Sequence, residues 1–182
     1  CVGGGIAVPV RALSTHVELL ELVLPVLQLV LSCGDHEEVH GQLRKCVFGA
    51  DGALAVVGSM AAHPDDVTVQ QLCSRCITFL AFGVQYCDQL MSAGGGGVQV
   101  LSAVHRHSTH VNDEETIRLA TLALHELCSS NNHMKQVFDG GGVHAVIEAM
   151  LAHPEFEAHS CAGLRFLETV LWFEEPELSA LQ

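Results

Sequence analysis

Apolar residues recur at helical spacing in short runs, and each run begins at a glycine. Two of these runs end at a His-Pro step 11 residues after the glycine. Proline at such a place stops one helix or begins the next. The glycine–apolar steps fall at intervals of 47, 45 and 45 residues and are Gly5-Ile6, Gly52-Ala53, Gly97-Val98 and Gly142-Val143. The pattern predicts a helical unit of about 45 residues that is repeated along the chain.

A longer helix is predicted after each run, and a third helix joins one unit to the next. The longer helices align on two small residues three apart, followed by a Leu or Ile stripe, in 73–80, 120–127 and 160–167, and more loosely in 17–31. That spacing places the stripe on one helix face. The joining helices are predicted at 39–48, 85–91 and 133–138, each running into the next glycine, as helix ends commonly do. These patterns predict an all-α fold with no sheet and more than about two-thirds helix.

The order of short helix, glycine corner, helix, polar turn and long helix resembles the armadillo repeat family. The resemblance implies a right-handed armadillo-type α-solenoid of about four three-helix repeats, at about 1–33, 34–81, 82–128 and 129–173. It also implies that the third helices, called H3, line a concave groove that binds partner proteins. The sequence begins at Cys1 inside the second helix of its first unit, so we expect it to be a fragment of a longer protein.

Composition narrows the class of partner. The chain has 8 basic and 21 acidic residues, a net charge of −13, which disfavours nucleic acid and favours a basic or amphipathic protein segment. The most apolar stretch, 17–31, is too short for a membrane span and contains Glu18, Glu21 and Pro25, so no membrane insertion is expected. Eight cysteines in a large apolar chain are expected to be free thiols in a reducing compartment, the cytoplasm, with a cilium or organelle as alternatives.

A zinc-type motif, His36-Glu37-x-x-His40, provides the less favoured alternative of a zinc metallohydrolase, in which two imidazoles bind zinc and Glu37 acts as general base. The motif lies in a polar corner at the start of a joining helix, without a third ligand. We therefore interpret it as a solvated helix start and predict no enzyme, no catalytic residue, no metal ligand and no cofactor.

Two other motifs have both a chemical and a structural interpretation. The C-x-x-C of Cys73 and Cys76 occupies the small positions of the H3 stripe, so both thiols, together with Cys161, are expected to be buried and reduced. The cluster of His105, His107 and His110 lies in a turn, where adventitious metal binding is the alternative to a purely structural role.

The resemblance also suggests where a partner would bind. In importin-α-type armadillo proteins an Asn on each H3 holds the peptide backbone, with Trp residues nearby. The alignment places Phe79, Glu126 and Phe166 at the Asn position, and the single Trp172 lies beyond it, so recognition of nuclear signals is not expected. The groove candidates are Arg75, Phe79, His125, Glu126, Arg165 and Phe166, and the alternative for the two Phe side chains is packing inward between repeats.

The sequence therefore predicts a non-enzymatic scaffold or adaptor for protein–protein interaction. The alternative is a structural subunit of a large ciliary or organellar assembly. Repeat arrays need covered or polar ends. We expect further repeats or another chain to cover an apolar N-terminal face made of Ile6, Val8, Val10, Leu19, Leu20 and Val23.

Overall fold

A computed structural model describes residues 2–34, 40–93, 95–108 and 113–178, with side chains described over 5–34, 40–93, 95–108 and 113–171. Within these ranges the chain forms eleven helices, is 83% helical and contains no strand. The all-α prediction is confirmed, including the apolar runs at 53–57 and 98–101. The helices are α1 Val2–Thr15, α2 Leu20–Gly34, α3 His40–Phe48, α4 Gly52–Ala62, α5 Val67–Leu80, α6 Val84–Ser92, α7 Gly96–His107, α8 Glu114–Leu127, α9 Asn131–Asp139, α10 Gly142–Ala152 and α11 Glu157–Leu178.

The helices fall into four pairs, α1–α2, α4–α5, α7–α8 and α10–α11, numbered here pair 1 to pair 4. The short helices α3, α6 and α9 connect them, close to the joining helices predicted from sequence. The second helices of the pairs pack in sequence, α2 on α5, α5 on α8 and α8 on α11, and so do the first helices, α1 on α4, α4 on α7 and α7 on α10. In the described residues, the larger contacts join helices of the same pair, helices of neighbouring pairs, or a joining helix to an adjacent pair, so the core runs along the series of pairs.

The first helix of pairs 2 to 4 begins at a glycine that has no room for a side chain. A Cβ on Gly52 or Gly142 would collide with the backbone of Val47 or Val137, and one on Gly96 would overlap the Leu90 carbonyl. The preceding residue has a positive φ in each case: 59° at Asp51, 77° at Gly95 and 84° at Gly141. The prediction placed the third corner at Gly97, one residue late, because the glycine run 94–97 offers several equivalent candidates.

The second helices of pairs 2, 3 and 4 can be compared by counting residues from the first residue of each helix, which is Val67, Glu114 and Glu157. The tenth residue of each is then Cys76, Ala123 and Phe166, and all three are fully buried. The predicted alignment of the last helix was therefore wrong by three residues. It matched the small residues of 160–167 instead of counting from the His-Pro turns, which have the same length before α5 and α11.

Burial also corrects the predicted N-terminal face. Ile6, Val10 and Val23 belong to the core, while Val8, Leu19 and Leu20 are exposed. The predicted face is therefore smaller and less continuous than the sequence suggested.

No single helix in the described part of the chain is both long and apolar enough to cross a membrane. One bent pair, His40–Phe48 with Gly52–Ala62, passes that test on length and composition with a bend of 71°.

Candidate partner-binding groove

The second helices of pairs 1 to 3 form an open cavity of about 260 Å³, which we call the groove. α2 packs on α5 and α5 packs on α8, so the three helices lie side by side and their side chains together line this space. Its walls are mostly apolar, and among the described residues that line it Arg75 alone is charged. The lining residues are Leu31, Gly34, Arg75, Thr78, Phe79, Leu119 and Leu122.

Phe79 forms one wall of the groove and is fixed by three neighbours. A Cβ on Gly34 would lie 3.2 Å from the Phe79 ring, so the glycine lets the ring approach α2. The His40 imidazole meets the ring edge-on, with centroids 5.1 Å apart. The Arg44 guanidinium lies 4.8 Å from the ring centroid, and its Nε–H donates to the Phe79 carbonyl at 3.0 Å. The ring is therefore held in place while part of it stays accessible.

A second aromatic ring extends this surface beyond the groove. Phe82, 71% exposed, also contacts Arg44, whose guanidinium lies 4.6 Å from the ring centroid. A cation in contact with aromatic rings is a common feature of binding surfaces. Arg44 thus joins an inner ring that lines the groove to an outer ring that faces solvent.

Two oppositely charged residues of α8, Glu115 and Arg118, are paired with each other and do not line the groove. Arg118 donates two hydrogen bonds, of 2.8 and 2.7 Å, to the Glu115 carboxylate. The hydrogen bond to Arg118 lowers the pKa of Glu115, and the positive charge of Arg75 lowers it further. Arg118 is thereby neutralised, whereas Arg75 is exposed and has no ion pair within the described residues. The positive charge open to a ligand in the groove belongs to Arg75.

The six predicted groove residues are only partly brought together. Arg75 and Phe79 line the groove. His125 lies further along α8, where its Nδ1 is 3.1 Å from the Thr169 hydroxyl of α11, and Glu126 is exposed beside it. Arg165 is exposed on α11.

Phe166 does not face the groove or the solvent, and its assignment to the groove was wrong. Its side chain is 0% exposed because the register of α11 turns it into the core. The alternative that this ring packs inward is confirmed.

Sequence reasoning missed Arg44, Leu31, Thr78, Leu119 and Leu122. Leu122 could have been predicted from the sequence, because it is the ninth residue of α8. Arg75 and Arg165, which were predicted, are the ninth residues of α5 and α11. No periodic signal marked Arg44, because it reaches Phe79 from a joining helix 35 residues earlier in the chain.

Two histidines of the predicted motifs, His40 and His107, make hydrogen bonds within the protein. His36 and Glu37 lie outside the described residues, and His40 points Nε2 at the Gly34 carbonyl oxygen, 2.6 Å away. In the second cluster His110 lies outside the described residues. His107 is buried, with Nδ1 2.6 Å from Asp113 and Nε2 3.3 Å from the Pro64 carbonyl. Across the described residues, no three His, Cys, Asp or Glu side chains gather as metal ligands.

The thiols of Cys73 and Cys76 are fully buried, as predicted, and neither is in a disulfide. Burial raises the pKa of Cys76 to about 12 and that of Cys73 well above its ordinary value. Such thiols remain protonated at neutral pH and are poor nucleophiles. Cys161 is exposed, contrary to the prediction, because the corrected register places it on the outer side of α11.

No family model, curated protein or solved structure matches the chain.

Proposed function

We propose that this chain is a non-enzymatic scaffold of the armadillo-like α-solenoid type, whose groove binds an amphipathic segment of a partner protein. The solenoid proposal rests on four helix pairs that pack in chain order and on glycine corners repeated at equivalent positions. The observation that carries the binding proposal is the groove itself, an apolar cavity across the second helices of three successive pairs, with Arg75 at its wall and no ion pair to Arg75 within the described residues.

The chemistry of the groove specifies the partner more narrowly than the overall charge does. An apolar side chain fits the space between Leu31, Phe79 and Leu122, and an adjacent carboxylate would meet Arg75. Further along the same face, Glu126 on α8 and Glu168 on α11 are exposed and would attract basic residues. The proposed ligand therefore carries an acidic residue next to its apolar anchor and basic residues towards the end that lies over α8 and α11.

A random peptide library displayed on phage tests this proposal with defined probes. Selection on the whole chain should enrich sequences with an apolar residue beside Asp or Glu. Counter-selection uses Leu122→Glu, which places a charge in the groove, and should remove those sequences. Leu54→Glu makes the same change at an exposed leucine on α4 and should retain them. Enrichment of nothing above background, or of sequences that bind Leu122→Glu equally well, would count against the groove.

A further inference from the structure

Arg44 is a fixed cation at the border of the groove. Its Nε–H donates to the Phe79 carbonyl at 3.0 Å, and its guanidinium lies 4.8 Å from the Phe79 ring centroid and 4.6 Å from that of Phe82. A planar guanidinium that contacts rings and donates through one nitrogen keeps little rotational freedom. Arg44 is therefore held in one orientation before a ligand binds, which lowers the entropic cost of binding.

The outer edge of the Arg44 guanidinium is available to a ligand. The hydrogens on its two Nη nitrogens make no hydrogen bond to the described residues, and no described carboxylate forms an ion pair with Arg44, whereas Arg118 pairs with Glu115. Partial burial lowers the pKa of Arg44, and the nearby Tyr86 opposes this to a smaller extent. The guanidinium stays charged at neutral pH. A partly desolvated charge with free donors is stabilised by a ligand that brings an anion.

Arg44 and Arg75 lie on opposite sides of Phe79 along α5. Arg75 is four residues before Phe79, about one helical turn, and lines the groove beside it. Arg44 meets α5 at its other end, where it contacts the Phe79 carbonyl and the Phe82 ring. Two of the eight basic residues of a chain with a net charge of −13 thus flank one ring. An apolar anchor that packs on Phe79 would have a guanidinium within reach on either side.

An acidic side chain matches the surroundings of Arg44 better than other peptide groups. A carboxylate accepts two parallel N–H bonds from one guanidinium, whereas a backbone carbonyl leaves the charge unneutralised. The ring of Phe82, 71% exposed, would cover the methylene groups of the same acidic side chain. The position beside Arg44 therefore favours Asp or Glu over a neutral residue.

We propose that Arg44 is a second anion-binding residue of the groove, and that the partner segment carries an acidic residue on each side of its apolar anchor, one for Arg75 and one for Arg44. The proposal rests on the proposed function of the groove and extends the acidic flank of its ligand from one side to both. It makes Arg44 a specificity-determining residue that lies outside the cavity itself.

Isothermal titration calorimetry with peptides from the phage selection tests the proposal. The selected peptides should carry Asp or Glu on both sides of the anchor, and each acidic residue is changed in turn to Asn or Gln. Either change should weaken binding to the unmodified chain at least about tenfold. Arg44→Gln should weaken binding of the unchanged peptide by a similar factor and have no effect on the peptide that lacks the matching acidic residue. Lys45→Gln, which removes an exposed cation one residue away, should bind every peptide as the unmodified chain does.

Peptides that depend on Arg75 but bind Arg44→Gln as tightly as the unmodified chain would overturn the proposal and leave the function of the groove standing. Selected peptides that are acidic on one side only would have the same meaning. An equal loss for peptides with and without the matching acidic residue would show that Arg44 only positions Phe79, which also contradicts the proposal. If the groove selects no peptide, the proposed function fails and this proposal fails with it.

The peptides also decide the question should Arg44→Gln lose helicity. In that case the unmodified chain is titrated with the peptide that has two acidic residues and with its two singly neutralised forms. The proposal requires both neutralised forms to bind more weakly, and equal affinity of the first peptide and either neutralised form rules it out.

Discussion

His153 reaches back to the preceding helix pair, where its Nε2 lies 2.7 Å from the carbonyl oxygen of Ser108. His63 and His107 occupy the equivalent place at the end of α4 and α7, and they contact the Val17 and Pro64 carbonyls at 2.9 and 3.3 Å. A carbonyl oxygen can only accept, so the ring nitrogen donates in each contact. Histidine at this position therefore connects each turn to the one before it.

Replacing His153 by Ala should destabilise the fold. The Ser108 carbonyl would lose its donor, and the stacking of the imidazole on Phe156 would be lost as well. We expect a decrease of about 1–3 kcal/mol in the free energy of unfolding, the usual cost of an unsatisfied buried polar group. Urea denaturation measures it. His144→Ala, at an exposed position, is the control and should stay within about 0.5 kcal/mol of the unmodified chain.

Phe166 and Phe79 should respond differently to truncation. Phe166→Ala leaves a cavity in the core and should lower the free energy of unfolding by about 3–5 kcal/mol. Phe79→Ala removes a half-exposed ring and should lower it less while weakening ligand binding in the groove. Equal destabilisation by the two variants would contradict the register assigned to α11.

Gly96→Ala should lower the free energy of unfolding by about 1–3 kcal/mol, because the new Cβ overlaps the Leu90 carbonyl and the backbone must move. Gly41→Ala is the matched control, since a Cβ at that helical glycine meets nothing within 4 Å. It should be neutral or stabilise by up to about 1 kcal/mol. Thermal unfolding followed by circular dichroism distinguishes the two. If Gly96→Ala proves as stable as Gly41→Ala, the third corner lies elsewhere.

The glycine corners and the register of α11 also show which parts of the fold can be predicted from the sequence alone. Helical periodicity and the glycine corners predicted the helices, because both are local signals. The register of α11 was not recovered, since the small residues Ser160 and Gly163 imitate Cys73 and Cys76 at the wrong distance from the turn. Of the six predicted groove residues, two line the groove. Phe79 and Arg75 were found, while the contribution of Arg44 depends on a contact between distant segments that no periodicity encodes.

His159 should make the fold sensitive to acid. Its side chain is fully buried and neither ring nitrogen has a hydrogen-bond partner among the described residues. Burial lowers the pKa of His159 below its ordinary value of 6.5, and His153 lowers it further. Between that lowered pKa and 6.5 the unfolded chain binds more protons than the folded one, so the free energy of unfolding decreases as the pH falls through this window.

His159→Leu removes this linkage. The loss of stability between about pH 7.5 and about pH 5.5, measured by urea denaturation, should be smaller in the variant than in the unmodified chain. His144→Gln, which alters an exposed imidazole, should leave the loss unchanged. If both variants retain the full pH dependence, acid sensitivity arises at other groups.

The affinity of a selected peptide for three forms of the protein tests the central claim most directly. Isothermal titration calorimetry compares the unmodified chain with Arg75→Glu, which reverses the charge at the groove wall, and with Lys135→Glu, which makes the same reversal on α9. The groove account predicts that Arg75→Glu weakens binding at least about tenfold, or about 1.4 kcal/mol, while Lys135→Glu leaves the Kd nearly unchanged. Equal affinities of all three forms, or equal losses in both variants, would contradict it.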